Sequence, residues 1–239
     1  MRTLVAVVTT LLSVRSAAST LTAEETGDTG PPAAQQSILP VHDVGISVGL
    51  GVQIPESSSQ ANGLLRLNLA WSPLDWLEIS FLLPGVSVLL GTRNGDEVVL
   101  SAGVQGIVYG SVEGVVIVPA VGAAYRHWFS GATSLGVTAR WAGQYGNSPV
   151  QQELGGTAFV THTFGQVVSL NFAIGATGWP SDPAWLTFGS PGVGVRNLPL
   201  LRVQLSPVWS IDADAHLAIR LRSTGATTQQ YLLGFSAIW

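Results

Sequence analysis

Apolar and small or polar positions alternate with a period of two along most of the chain after residue 43. Val44, Ile46, Val48, Leu50, Val52 and Ile54 stand between Gly45, Ser47, Gly49, Gly51 and Gln53. Leu65, Leu67, Leu69 and Trp71 alternate with Leu64, Arg66, Asn68 and Ala70, and Leu77, Ile79, Phe81 and Leu83 with Trp76, Glu78, Ser80 and Leu82. Leu135, Val137, Ala139 and Trp141 are set against Gly136, Thr138, Arg140 and Ala142. Val168, Leu170, Phe172 and Ile174 are set against Ser169, Asn171, Ala173 and Gly175. Leu201, Val203, Leu205 and Trp209 alternate with Arg202, Gln204 and Ser206, with Pro207 reading as a bulge. Ala215, Leu217, Ile219 and Leu221 alternate with Asp214, His216, Ala218, Arg220 and Arg222. Segments 98–109, 115–127 and 154–164 are strand-like, although their two faces separate poorly. A period of two marks strands with unlike faces, so the pattern predicts an all-β chain of antiparallel strands.

Composition decides where such strands belong. Hydrophobic residues make up 46% of the chain and charged residues 10%, against about 25% charged in a soluble domain. No apolar run approaches the ~20 residues of a membrane-spanning helix. A closed barrel, with every backbone group paired between strands, is the other structure a bilayer accepts. Aromatics sit at strand ends (Trp71, Trp76, Tyr125, Trp128, Trp141, Trp209 and Trp239), as interfacial girdles require. Connections alternate between short (72–75, 164–166, Asp212) and long (55–61, 143–152, 179–197, 223–229). Both termini on one side demand an even number of strands. Four strands fit between Trp76 and Trp128 if Pro84-Gly85 or segment 93–97 turns, which gives twelve; ten is the alternative. A soluble β-sandwich with the apolar face as its core is the competing architecture.

The first residues resemble an export signal: Arg2, an apolar stretch from Leu4 to Leu12, and a small-residue site at Ser16-Ala17-Ala18. The expected layout is a signal at 1–18, an unstructured acidic lead-in at 19–41, and a barrel at 42–239. Thr20 to Gln36 is polar and carries Glu24, Glu25 and Asp28, a composition too poor in apolar residues to fold alone. The chain has no cysteine, which removes disulfides, thiolate metal sites and a lipid-bearing cysteine. Without Arg2 and Arg15, eight of the ten basic residues remain against fourteen acids. That balance excludes nucleic acid as a partner, since phosphate binding needs a basic patch.

The chain ends on Tyr231-Leu232-Leu233-Gly234-Phe235-Ser236-Ala237-Ile238-Trp239. A last strand closing on a terminal aromatic resembles that of bacterial outer-membrane β-barrel proteins. The turn Trp71-Ser72-Pro73-Leu74-Asp75-Trp76-Leu77-Glu78-Ile79 is similar to one found in small proteobacterial barrels, including those grouped with aromatic-degradation transporters. Asp75, Leu77 and Glu78 match that turn, and Trp76 replaces the family's Arg. The resemblance implies an antiparallel up-and-down barrel in the cell outer membrane, with outer-membrane lipid and the barrel assembly machinery as partners. It also implies that Trp239, Phe235, Leu233 and Tyr231 form an assembly signal. It implies no enzyme activity and no cofactor.

Candidate chemistry lies on the inward faces. Arg66, Arg140, Arg202, Arg220 and Arg222, with Arg126 from the segment 115–127 whose faces separate poorly, face Glu78 and Asp214, with His216 among them. A positive lumen attracts anions, which predicts a small passive channel or solute pocket for an anionic solute. Alternatively, the arginines pair with Glu78, Asp214, Gln204 and Asn68 and close the interior, since buried charges must be paired or hydrated. The other function class is an outer-membrane lipid hydrolase. The residues two after His42, His127, His162 and His216 are Val44, Phe129, Phe164 and Ala218, so the His-x-Ser pair of that class is absent. Thr161 and Thr163 flank His162 on the opposite strand face. The four histidines have no zinc spacing. Asp96-Glu97 reads as a solvated turn, and Gly192-Val193-Gly194 lacks the helix of a phosphate loop. The segment 179–197, with Trp179, Trp185 and Phe188, is expected to be a long loop.

Overall fold

The structure, a computed structural model, describes residues 37–54, 61–82, 84–93, 95–110, 114–144, 151–165, 167–179, 182–193, 196–221 and 227–239. The export signal, most of the lead-in and Arg222 lie outside these residues.

The elements are β1 (Val44–Ile54), β2 (Asn62–Leu74), β3 (Leu77–Ser80), β4 (Gly85–Arg93), β5 (Asp96–Gly110), β6 (Gly114–Trp128), β7 (Thr133–Gln144) and β8 (Gln151–Phe164). They continue as β9 (Val168–Trp179), β10 (Asp182–Gly189), β11 (Gly192–Val193), β12 (Arg196–Asn197), β13 (Leu201–Gln204), β14 (Trp209–Arg220) and β15 (Thr227–Ile238). All pairings are antiparallel. β10 and β13 occupy one place in the wall, since each pairs with β9 on one side and β14 on the other. β11 and β12 form a separate hairpin. The wall is therefore a closed barrel of twelve strand positions, with β15 paired to β1. β3 to β6 supply the four strands expected between Trp76 and Trp128. Closure is completed at the chain's last residue: Val44 N–H donates to the Trp239 carbonyl at 2.7 Å, and Trp239 N–H to that of Val44 at 3.0 Å.

Alternation places the two faces as the sequence implies. Leu50 is 66% exposed, and its cross-strand neighbours Leu65 and Leu233 are 63% and 62% exposed. Glu78, Ser87, Ser134, Thr161 and Asn171 on inward positions are fully buried. The outside is thus apolar and the inside polar, the reverse of a soluble sandwich.

Several local expectations change. Pro207 is not a bulge within one strand. It lies in a tight turn between β13 and β14, where Leu205 N–H donates to the Trp209 carbonyl at 2.8 Å and the Ser206 hydroxyl accepts from Trp209 N–H at 3.0 Å. Asp212 is consequently mid-strand rather than a connection. Part of the expected loop 179–197 is strand β10, with Trp185 paired to Thr177 and Arg220. Trp76 and Trp128 do not join an outer girdle. Trp128 falls on the inward parity of β6 beneath the Arg126 guanidinium, 3.9 Å from its ring centre, and Trp76 is buried at the β2–β3 turn. Trp71, Tyr125, Trp209 and Trp239 face outward.

Candidate functional site: a plugged, charge-paired lumen

Two segments outside the wall fill one end of the barrel. The first comprises 190–193 and 196–200, which lie off the wall between β10 and β13 and inside the barrel. Gly189 starts the departure with a φ of 147°, a region open to glycine, and a Cβ there would lie 2.4 Å from the Ala215 carbonyl. Leu198 N–H donates to the Pro191 carbonyl at 3.0 Å, closing the excursion. The second is 37–40, placed by the sequence in the unstructured lead-in, of which Ser37, Ile38 and Leu39 are buried. Ile38, Val193 and Leu198 pack with Val99, Ala124, Phe159 and Ala173 of the wall, with Leu89 alongside. Phe159 has room because position 136 is glycine; a Cβ there would sit 2.3 Å from its ring.

Buried polar side chains fasten both segments. Glu78 accepts the Leu39 N–H at 2.8 Å, and Glu97 accepts the Ser37 hydroxyl. Asn171 donates to the Pro199 carbonyl at 2.6 Å, accepts from Thr161 at 2.9 Å, and its own N–H donates to the Leu200 carbonyl. Asp214 accepts the Leu200 N–H at 2.9 Å. Replacing Asn171 by alanine orphans a buried carbonyl, a loss of about 1–3 kcal/mol. It should lower the urea midpoint of the folded barrel; an unchanged midpoint would show that the excursion needs no such anchor.

Beyond the plug the lumen opens into a cavity of about 1030 Å³ lined by Arg66, Arg140, Glu153, Asp214, His216 and Trp185 among others. Arg66 reaches Asp214 across two intervening strands whose inward residues there, Gly49 and Gly234, carry no side chain. Arg140 and Glu153 approach to 3.6 Å. Nearer the β13–β14 turn, Arg202 holds Asp212 through two hydrogen bonds of 2.7 and 2.8 Å, with Ser236 bonded to both partners. Arg220 lies over Trp185 at 6.0 Å.

The structure places Arg66, Glu78, Arg140, Arg202, Asp214, His216 and Arg220 on inward positions. It does not show the expected positive excess. Among the described residues, Arg66, Arg126, Arg140, Arg202 and Arg220 face Glu78, Glu97, Glu153, Asp212 and Asp214. The sequence reading missed three acids. Asp212 was assigned to a connection and Glu97 to a turn, and Glu153 fell between the loop 143–152 and the strand-like segment 154–164. Asp212 and Glu153 meet Arg202 and Arg140 on neighbouring strands, where cross-strand spacing was the available signal, whereas Glu97 meets Ser37 from outside the wall.

His127 and His162 face away from the lumen. His127 Nδ1 lies 2.7 Å from Asp96, and His162 Nδ1 lies 2.8 Å from the Thr133 hydroxyl, each beside a phenylalanine ring. Thr161 and Thr163 do point the opposite way from His162. Among the described residues no cluster of His, Asp and Glu could hold a metal, and no helix is long and apolar enough to cross a membrane. Tyr231, Leu233, Phe235 and Trp239 form one outward row on β15 and its end.

This is the fold of a small porin-like barrel. Among solved structures, that of the NanC porin covers 80% of this chain and 98% of its own at TM-score 0.53 and 10% identity. The KdgM porin, at TM-score 0.46 and 11% identity, covers 80% of this chain and 98% of its own. An anion-selective porin from Comamonas acidovorans, at TM-score 0.42 and 7% identity, covers 82% and 98%. The first alone bears on the fold. No protein-family model and no curated protein matches the chain.

Proposed function

We propose that the protein is an outer-membrane channel of narrow bore, without enzyme activity, that discriminates weakly between anions and cations. The outward apolar belt faces lipid, the inward polar wall faces water, and the aromatic row ending at Trp239 guides assembly. The observation that carries the reading is the charge-paired cavity inside an apolar-out barrel. Ion pairs leave little net field along the path, whereas an unpaired arginine lining would select anions. The Arg66–Asp214 and Arg140–Glu153 pairs stand where solute must pass, and small neutral or zwitterionic molecules fit such a lining.

Reversal potentials in planar bilayers under a salt gradient test this. The wild type should reverse near zero, and Asp214→Asn with Glu153→Gln should shift the potential toward the anion limit. A wild-type protein already at that limit would overturn weak selectivity.

A further inference from the structure

The ring of twelve strand positions is complete only in the half that holds Val44 and Trp239. β3 has 4 residues and β4 has 9, whereas their outer neighbours β2 and β5 have 13 and 15. The β3–β4 hairpin rises only to the level of Leu69 and Val104. There Phe81 N–H donates to the Leu69 carbonyl at 2.9 Å, and Val104 N–H to that of Pro84 at 2.8 Å. Beyond that level β2 extends to Asn62 and β5 to Gly110. Among the described residues no strand pairs with their facing edges there, so the wall carries a notch two strand positions wide. The notch lies at the height of the apolar belt. Leu65 and Leu67 on its β2 side face outward, and Leu65 shares a row with Leu50 and Leu233. A bilayer accepts unpaired strand edges only where they line a water-filled cavity, which the lumen supplies. Beside the notch, the lumen itself changes character. Leu64 and Leu232 occupy inward positions on either side of Gly51, where a Cβ would lie 2.8 Å from Leu232 Cγ. Both line the cavity, as does Leu82 at the hairpin tip. One inward position deeper on β2, Arg66 meets Asp214, which is the cross-strand neighbour of Leu232. An apolar strip therefore runs from the lipid-facing belt past the notch and ends at a charge pair.

We infer that the notch is a lateral port, through which a single-chain zwitterionic amphiphile enters the cavity from the bilayer. Its head group meets Arg66 and Asp214, and its chain lies along Leu64, Leu232 and Leu82. The inference rests on the channel reading. The paired charges suit a head group that carries both signs, and the notch lets the chain stay among apolar neighbours throughout.

The chain has no cysteine, so introduced thiols report cleanly. Leu64→Cys stands beside the notch, and Thr157→Cys faces the same cavity from β8. In vesicles, N-dodecylmaleimide dissolved in the bilayer should label Leu64→Cys about tenfold faster than Thr157→Cys. A sulfonated, water-soluble maleimide should label the two at similar rates. Equal rates with the dodecyl reagent mean a wall closed to lipid, and the port fails while the channel stands. No labelling of either thiol by the soluble reagent means no water-filled lumen, and both readings fail. In planar bilayers, dodecylphosphocholine below its micellar concentration should block the wild-type current. Leu232→Gln should weaken that block about tenfold, and glycerophosphocholine at the same concentration should leave the current unchanged. Equal block by the two compounds means that the head group is read from water alone. That result, no block by dodecylphosphocholine, or a block unchanged by Leu232→Gln would each overturn the port.

Discussion

Arginine in place of Leu50 should cost the folded barrel about 2–4 kcal/mol in a lipid bilayer, the range for a basic residue at the midplane of a barrel's outer face. Leu50 is central in β1 and flanked by Leu65 and Leu233 on the two neighbouring strands, all three pointing outward. Among the described residues nothing nearby on that face offers a carboxylate, so the guanidinium would have to reach the headgroups along the barrel wall. In a soluble protein the same position would be in water, and the change would lie within about 0.5 kcal/mol. Urea titration of vesicle-reconstituted protein distinguishes the cases, and a neutral result would remove the lipid-facing assignment of the whole belt.

The second large effect concerns Arg202. Its side chain is nearly buried and grips Asp212 with two bonds, while Ser236 closes the network against Ser210 at 2.7 Å. Arg202→Ala leaves the Asp212 carboxylate without its counter-charge in a poorly hydrated place, a loss of about 3–5 kcal/mol. The same principle says that the pair as a whole adds little, because desolvation offsets attraction. Arg202→Met combined with Asp212→Leu should therefore recover most of the lost stability. A double variant as unstable as the single one would show that the ion pair itself, and not the stranded carboxylate, sets the stability.

The barrel was legible because its information is local. Each wall residue needs only its parity, and parity survives errors in the ends of strands. That is how β1, β2, β7 and β9 were read with the right faces. It also explains the reading of Pro207: a four-residue turn preserves parity, so Leu205 and Trp209 stay outward on either side of it. Features off the lattice of the wall were illegible. The Gly189 departure looks like the start of a surface loop, since Ser190, Pro191 and Gly192 carry no sign of direction. Ile38-Leu39 is too short for any periodicity, and only its apolar pair ahead of Pro40 marks it. The charge balance failed for a related reason: Glu97 and Glu153 lie near strand ends, where face assignment from sequence is weakest, and Asp212 was lost with the misread turn at Pro207.

The position of the plug imposes an order on folding. Ile38 and Leu39 are closest to the N-terminal end of the barrel sequence, yet their burial site is built from β4, β5, β6, β8 and β9 and from the hairpin between β10 and β13. That site does not exist until the strands have paired, and the wall does not close until Trp239 meets Val44. These residues, at the start of the barrel sequence, therefore wait for strands far along the chain. Their protection is a timestamp for that pairing: a barrel stalled with β9 unpaired would carry paired strands from β4 to β8 and a bare Ile38.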